Sequence, residues 1–245
     1  MELDYTRHYR NWHDGSDSHF ATMSAAFAAK LVPLLPRDLS VPILEIGCGV
    51  GYAVAALQEL GFRNVEGIDA DRGQIASATA RELPVTHVPT SETLAFLAAR
   101  ERSYDAVIAI DVIEHIPIDV QLPVLQHIVA ALKPGGTLIC QVPNASSGIS
   151  SHYRYIDWTH CCSFTRFSLD FILDNAGLTD IRVIEADPPR CPRLPFILRK
   201  SVFQWLIRGA FRFARRLEYY AELGWPEARR IPLTPNIIAI SRRPL

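Results

Sequence analysis

The sequence lacks the features that mark several specialised classes of protein. No apolar run approaches the roughly 18 residues that a membrane-spanning helix needs. The N-terminus is polar and aromatic, without a basic start followed by an apolar core, so we expect no secretory signal. The five cysteines are an odd number without CxxC spacing, which favours free thiols over a disulfide framework. We therefore expect a cytoplasmic protein.

Charge of one sign is also lacking, because 25 basic and 26 acidic residues leave a net charge of −1. This balance conceals a division of the chain. Residues 1–120 hold 9 basic and 17 acidic residues, a net of −8, and residues 121–245 hold 16 and 9, a net of +7. With 245 residues, 49% of them hydrophobic, the chain has the size and composition of one globular domain. A charged partner remains open for the second half.

Short β-branched runs alternate with longer helical patterns along most of the chain. Strands are predicted at 43–46, 65–69, 85–87, 106–110, 136–142, 181–185 and 236–241, and helices at 52–60, 73–81, 91–101 and 118–132. This alternation predicts an α/β sandwich of three layers, with a mostly parallel sheet covered by helices on both faces. The run before Asp111 is almost wholly apolar, as a central parallel strand should be.

A strand runs into a glycine-rich turn at residues 43–51 (ILEIGCGVG), and a helix begins near Tyr52. Glycines permit a tight turn and a close approach of a ligand, and the helix N-terminus adds unpaired N–H groups. Asp69 ends the next strand, where a carboxylate can accept both ribose hydroxyls of a nucleoside. The spacing is GxGxG, and Tyr52 stands where a dinucleotide-binding GxGxxG loop needs its third glycine. A glycine turn without any ligand is the alternative.

Four motifs in order resemble the class I S-adenosylmethionine-dependent methyltransferases. They are Glu45 before the glycine loop (ExGxGxG), Asp69 in GIDA, the run from YDAV to DVIEH, and LKPGG. The resemblance implies a Rossmann-like fold with a seven-stranded sheet in the order 3-2-1-4-5-7-6 and strand 7 antiparallel. It divides the single domain into an N-terminal helical lid, a core, a helical insert and a last strand, at residues 1–40, 41–187, 188–232 and 233–245.

The resemblance also implies S-adenosylmethionine as cofactor, with S-adenosylhomocysteine as product. The cofactor-binding residues that it implies are Glu45, Gly47, Cys48, Gly49, Gly51, Asp69, Ala70, Ser91, Asp111 and Tyr9. The glycine loop and Asp111 would lie against the methionine part, and Glu45 would act on the ammonium group. Asp69 would hold the ribose, and Ala70 would pack on adenine. Ser91 would either meet the adenine amino group or cap the next helix, which we favour, and Tyr9 belongs to the lid.

Two histidines lie beyond the carboxyl ends of predicted strands, where open α/β sheets bind ligands. His115 follows the fourth strand and His160 the fifth, three residues after Asp157. Methyl transfer to a hydroxyl of high pKa needs a base, and imidazole titrates near neutral pH. We expect His160 with Asp157, or His115, to deprotonate the acceptor; the alternative is that they only brace loops. No tight HxxxH or HExxH spacing is present, so we expect no metal ion.

The segment after the fifth strand contains RYIDWTHCCSFT. It resembles RYxDxTHExxFT of a methyltransferase subgroup associated with bacterial polysaccharide, lipopolysaccharide and other glycan biosynthesis, with Cys161 in place of Glu. The candidate acceptor-binding residues are Asn144, Arg154 and Tyr155. The expected function is O-methylation of a sugar hydroxyl or a glycan-like small molecule. The alternatives are a quinone, phenol or nitrogen acceptor, and a protein that binds S-adenosylmethionine without catalysis.

The insert is basic, since residues 190–216 hold eight basic residues and no acid. A helical wheel places its apolar residues in one sector and its arginines opposite. One explanation is a lid or homodimer helix that packs its apolar face on the protein and exposes its arginines. The other is contact with the inner face of a membrane or with a lipid-linked substrate. No RNA-binding module is recognisable, so we do not expect nucleic acid.

Overall fold

The computed structural model of the protein describes residues 13, 15–186 and 197–245. Tyr9, the predicted lid residue, lies outside the described residues. The described residues form one sheet of seven strands in the order β3-β2-β1-β4-β5-β7-β6. The strands are Pro42–Ile46 (β1), Asn64–Asp69 (β2), Val85–His87 (β3), Tyr104–Ile110 (β4), Leu132–Pro143 (β5), Thr179–Ala186 (β6) and Asn236–Arg242 (β7).

The predicted strand order is confirmed. Strands β1 to β5 pair in parallel, and β7 runs antiparallel to both β5 and β6. One difference concerns the LKPGG segment, which spans the gap between the predicted helix 118–132 and the predicted strand 136–142. It is part of β5, which begins directly after the preceding helix ends at Ala131. The carboxyl ends of β1, β2, β4 and β5 therefore meet at one edge of the sheet.

Helices cover the sheet much as the apolar periodicity predicts. They are Asp17–Leu31 (α1), Tyr52–Glu59 (α2), Arg72–Thr79 (α3), Thr93–Ala98 (α4), Ile118–Ala131 (α5), Ser150–Tyr155 (α6), Arg166–Asn175 (α7), Ile197–Leu223 (α8) and Trp225–Ala228 (α9). The favoured prediction that Ser91 caps a helix is wrong. Ser91 is an exposed residue inside a 3₁₀ turn, Thr90–Glu92, and α4 follows that turn without a side-chain cap.

The core lies on both sides of the central strand β4. Val107 and Ala109 belong to one hydrophobic cluster, and Ala106 and Ile108 belong to another. Successive strand residues point to opposite faces, so both faces of β4 are covered and all four residues are fully buried. Burial of each large side chain in these clusters contributes about 1.5–3 kcal/mol. The packed sheet thereby gives a rigid base to the loops at its carboxyl edge.

The described part of the N-terminal segment lies against the helix that follows the glycine loop. Tyr52, at the start of α2, is the centre of an aromatic cluster with His13, His19, Phe20 and Phe27. The Tyr52 hydroxyl and His13 Nδ1 are 3.1 Å apart. These contacts hold α1 beside the loop.

Helix α8 does not pack its apolar face on the protein, as one of the two explanations of the basic insert requires. Its half-buried side carries Arg212, Arg215, Arg216 and Tyr219. Arg216 Nη1 donates to the carbonyls of Ala228 and Ile231. The large apolar side chains face solvent: Phe203, Trp205, Leu206, Phe211, Phe213 and Leu217. The alternative with a buried apolar face and solvated arginines is therefore wrong. None of the helices in the described ranges could cross a bilayer.

Candidate functional site

Two positions of the glycine loop between β1 and α2 favour a residue without a side chain. Gly47 and Gly51 have φ angles of 70° and 87°, in the left-handed region. A Cβ on Gly47 would lie 2.4 Å from Val112 Cγ2, and one on Gly51 would lie 2.5 Å from Leu83 Cδ1. Conformation and space thus both require glycine here. The loop is a preformed cradle whose backbone faces the carboxyl edge of the sheet.

Asp69 is fixed at the end of β2 by the backbone of its neighbours. The Gly49 N–H donates to Oδ2 at 2.8 Å, and the Asp71 N–H donates to Oδ1 at 2.8 Å. Partial burial raises the pKa of Asp69, and these two hydrogen bonds oppose that rise. Each carboxylate oxygen has a second lone-pair direction that can accept a hydroxyl. Ala70 follows and is exposed, which leaves room for a flat ring to pack on it.

Glu45 is buried at the end of β1, beside the first turn of α2. The Val54 N–H bonds to its carboxylate, and Oε2 has no hydrogen-bond partner among the described residues. Burial raises the pKa of Glu45 to about 8. A cation placed near it would favour the ionised form, so this carboxyl fits an ammonium group, directly or through the loop.

Cys48 contributes packing to the cradle. It is buried, and a Cβ on Gly67 would lie 2.8 Å from its Sγ, so the loop and β2 are in close contact. Burial raises the pKa of the Cys48 thiol, so the side chain stays neutral.

Asp111, just past β4, belongs to a chain of three polar side chains. Gln141 Nε2 donates to both Asp111 oxygens at 2.9 and 3.1 Å, and Lys30 Nζ donates to Gln141 Oε1 at 2.7 Å. Asp111 is open to the cleft on one side. Desolvation by the surrounding protein nevertheless raises its pKa, and the interactions with Gln141, Lys30 and His160 oppose that rise. Sequence reasoning missed Lys30 and Gln141, because they lie 111 residues apart. The chain ties α1 to the sheet edge.

The loop after β5, residues 144–165, is here called the acceptor loop. In it, Asp157 Oδ1 accepts from the backbone N–H and from Oγ1 of Thr159, at 2.8 and 2.6 Å. Thr159 Oγ1 lies 2.7 Å from His115 Nδ1. Since this hydroxyl donates to the carboxylate, it accepts from His115 Nδ1–H, which leaves the lone pair on Nε2. The pairing predicted between Asp157 and His160 is thus replaced by a link from Asp157 through Thr159 to His115.

His160 lies beside His115, with ring centroids 4.6 Å apart. Its Nδ1 is 2.9 Å from the Tyr153 carbonyl, which can only accept, so Nδ1 carries the proton and Nε2 the lone pair. The two predicted histidines therefore converge from the ends of β4 and β5. In both rings Nδ1 carries the proton and Nε2 is the basic nitrogen.

Glu114 lies beneath the two histidines and is fully buried. Neither carboxylate oxygen has a partner in another described residue, and burial raises the pKa of Glu114 well above its usual value. Its backbone carbonyl accepts from the Cys161 N–H at 2.7 Å, which attaches the acceptor loop to the end of β4. Potential ligand atoms of Glu114, His115 and His160 lie within 4.8 Å of one another. This is a set of cation-ligand types that sequence spacing did not indicate.

The three predicted acceptor-binding residues differ in what they can contact. Asn144 is fully buried and braces the chain: its amide donates to the Pro232 and Thr234 carbonyls and accepts from the Ser146 N–H. We therefore withdraw it as an acceptor ligand, since its polar atoms are used within the fold. Arg154 donates to the Cys161 carbonyl at 2.8 Å and lies 5.0 Å from the Tyr155 ring. Tyr155 is 75% exposed and remains available.

Comparison with known proteins gives matches for much of the chain. A family model described as a methyltransferase domain matches residues 19–183. The ubiquinone biosynthesis O-methyltransferase of Rickettsia typhi is 37% identical over 114 residues, which is 44% of this chain and 44% of that protein. The mitochondrial ubiquinone biosynthesis O-methyltransferase of Dictyostelium discoideum is 25% identical over 174 residues, 61% of this chain and 54% of that protein. The matches thus span about half the length of these relatives.

Solved structures give the same fold. A SAM-dependent methyltransferase from Archaeoglobus fulgidus aligns over 98% of this chain and 100% of its own, with a TM-score of 0.67. Its sequence is 18% identical, so this likeness concerns the fold alone.

Proposed function

Because the chain belongs to the class I S-adenosylmethionine-dependent methyltransferases, we propose that it methylates a phenolic hydroxyl of a quinone-type small molecule. The observation that carries the proposal is the convergence of two histidines, both with a basic Nε2, at the sheet edge next to the cofactor cradle. The curated relatives supply the acceptor class, since they are named ubiquinone biosynthesis O-methyltransferases.

The cradle fits the cofactor on several independent grounds. Two loop glycines leave no space for a Cβ, and the Asp69 oxygens retain lone pairs for ribose hydroxyls. The Glu45 carboxyl, with one unpartnered oxygen, suits the ammonium end. Asp111 would lie beside the methionine part. When bound, S-adenosylmethionine supplies an electrophilic methyl group on a sulfonium, and the chain has to position an oxygen nucleophile in line with it.

We assign the base to His115. Its Nε2 would take the proton of the acceptor hydroxyl as the oxygen–methyl bond forms and the bond between the methyl carbon and the sulfonium sulfur breaks, and Thr159 and the Asp157 carboxylate would stabilise the imidazolium. Asp157 and Thr159 are thus positioning residues, which keep Nδ1 protonated and the ring oriented. His160 completes the wall of the same site.

The surface of the acceptor loop agrees with an aromatic acceptor. Trp158 and Tyr155 are 91% and 75% exposed, and their rings can stack on another flat ring. A sugar hydroxyl remains the second candidate, because the RYIDWTH segment resembles the glycan-associated subgroup and aromatic faces also stack on sugars. Both acceptors present a hydroxyl, so the same base serves either reaction.

The test is methyl transfer from labelled S-adenosylmethionine to two panels of acceptors, one of catechols and hydroquinones and one of sugar nucleotides. We expect turnover of the phenolic panel alone, and His115→Ala should abolish it. Turnover confined to sugar nucleotides would reassign the acceptor. Failure to bind S-adenosylmethionine at millimolar concentration in calorimetry would overturn the enzymatic proposal itself.

Removal of metal ions tests the assignment of a base. Methyl transfer needs no metal cofactor in this family, so treatment with a chelator should leave the rate unchanged. Loss of activity that a divalent cation restores, and that Glu114→Gln also causes, would instead assign Glu114, His115 and His160 to a cation.

A further inference from the structure

We propose that the exposed face of α8 binds the surface of an anionic lipid bilayer. Large apolar side chains are exposed along α8, and at 100° per residue Phe203, Leu206, Phe213 and Leu217 share one sector of about 80°. Their exposed fractions run from 45% to 74%: Phe203, Trp205, Leu206, Phe211, Phe213 and Leu217. Contiguous exposed apolar patches of this kind mark interaction sites in soluble folds.

The geometry matches a helix that lies in a membrane surface. Residues 203–211 are exposed on every side, so this part of α8 extends beyond the body of the protein. From Phe203 to Leu217 the apolar face is about 22 Å long, at 1.5 Å per residue. Helices that bind bilayer surfaces combine such a face with phenylalanine, tryptophan and basic residues, and need not be long or apolar enough to span. Among the described helices none could span.

The charge of the segment indicates which partner binds the exposed face of α8. The segment 190–216 carries eight basic residues and no acid. A second copy of the chain would bring an equally basic segment against this face, whereas an anionic lipid surface would attract it. A nucleic acid is disfavoured, because the half-buried Arg215 and Arg216 bond to Glu218 and to backbone carbonyls, and the face presented to solvent is apolar.

A hydrogen bond connects α8 to the acceptor loop. The Tyr219 hydroxyl, on the side of α8 that faces the protein, donates to the Ser146 carbonyl at 3.2 Å. A bilayer-bound α8 would therefore hold the acceptor loop close to the lipid surface, where apolar acceptors concentrate. The inference itself does not depend on which hydroxyl is methylated.

The experiment is flotation of the full chain with vesicles of phosphatidylglycerol and phosphatidylcholine, compared with vesicles of phosphatidylcholine alone. We expect the protein to float with the anionic vesicles at low salt. The double variant Phe203→Ser and Phe211→Ser should lower the partition coefficient about tenfold or more. Arg208→Gln, at an exposed arginine, should lower it roughly fivefold for anionic vesicles only.

The matched control is the pair Phe167→Ser and Phe171→Ser on α7, which is 59% and 69% exposed in the folded protein. This pair should leave flotation unchanged, and thermal unfolding of all variants should show that they fold. Absence of flotation, or equal flotation of the α8 double variant, overturns the proposal. A concentration-dependent dimer without flotation, dissociated by the α8 substitutions, also overturns it and assigns the face to a second copy. Methyl transfer to a soluble catechol is measured separately and tests only the proposed function.

Discussion

The ribose end of the cofactor side and the His115 link of the acceptor side are built by different kinds of contact, whereas Asp111, at the other end of the cofactor side, is held by side chains. On the cofactor side, backbone N–H groups hold the Asp69 carboxylate, and glycine conformations shape the loop. On the acceptor side, side chains hold other side chains, as in the link from Asp157 through Thr159 to His115. Backbone contacts depend on few residue identities, whereas side-chain networks change with each substitution. The ribose end thus depends on fewer side-chain identities than the His115 link does.

The largest effect is expected on the acceptor side. His115→Ala should lower kcat about 100- to 10,000-fold, because it removes the proposed general base. The Kd for S-adenosylmethionine, measured by calorimetry, should stay within about twofold of wild type. His160→Ala is the matched control and should reduce kcat far less. If the two effects are reversed, His160 is the base.

The cofactor side should respond to Asp69→Ala with a loss of affinity. The proposed role of Asp69 is to accept two hydrogen bonds from ribose hydroxyls, so the Kd for S-adenosylmethionine should rise roughly 10- to 100-fold without it. Asp71→Ala serves as a control, since Asp71 caps α3 through the Gln74 N–H and should mainly affect stability. Unchanged cofactor affinity in the Asp69 variant would contradict the ribose assignment.

Thr159→Val tests the link between the acceptor loop and the base. The substitution keeps the shape and removes the hydroxyl, so His115 loses its oriented partner and kcat should fall about tenfold. Cofactor affinity should not change. Thr159→Ser should restore most of the rate. A variant with unaltered pH–rate profile and kcat would show that the link has only a structural role.

Glu45 should contribute a pH dependence of stability that adds to that of the buried Glu114, whose pKa burial also raises. Between its ordinary pKa of 4.5 and its raised value of about 8, the folded chain retains a proton that the unfolded chain has released. The free energy of unfolding should therefore fall as the pH rises through this window, by up to about 1.4 kcal/mol per pH unit. Glu45→Gln should flatten this part of the slope in denaturant titrations between pH 5 and about pH 8.

Bound cofactor gives the internal control for that experiment. An ammonium group near Glu45 favours the ionised carboxylate, so S-adenosylmethionine should stabilise the wild-type chain more at pH 8 than at pH 6. This difference between the two pH values should be smaller in the Glu45→Gln chain. If stabilisation by the cofactor depends on pH equally in both chains, the group that titrates is not Glu45.

The features that could be predicted from the sequence are those that depend on residues close together in the chain. Strands, the glycine loop and Asp69 depend on local patterns, and the order of the sheet follows from motifs in sequence. The partners Lys30 and Gln141 are 111 residues apart, and His115 and Thr159 are 44 apart, so no local pattern reports them. Asn144 looked like a ligand because it is polar and follows a strand, and only its contacts with residues 232–234 show it to be a brace.

The orientation of α8 shows a second limit. The helical wheel correctly separates apolar residues from arginines, but amphipathicity does not say which face meets the protein. Here Arg216 donates to one carbonyl at the end of α9 and to another three residues later, and this places the basic side inward.

The hydrogen bond from Lys30 to Gln141 couples two processes that are distant in sequence. Gln141 also holds Asp111, the residue proposed to lie beside the methionine part of the cofactor, so we expect the docking of α1 and the arrangement of Asp111 to be parts of one equilibrium. Burial lowers the pKa of Lys30, which means that undocking of the helix returns a desolvated ammonium to water. By thermodynamic reciprocity, a ligand that prefers the docked arrangement protects the α1 amides from hydrogen exchange, and a looser α1 weakens that ligand by the same factor. Helix α1 is therefore a reporter of cofactor occupancy that can be followed without any measurement of methyl transfer.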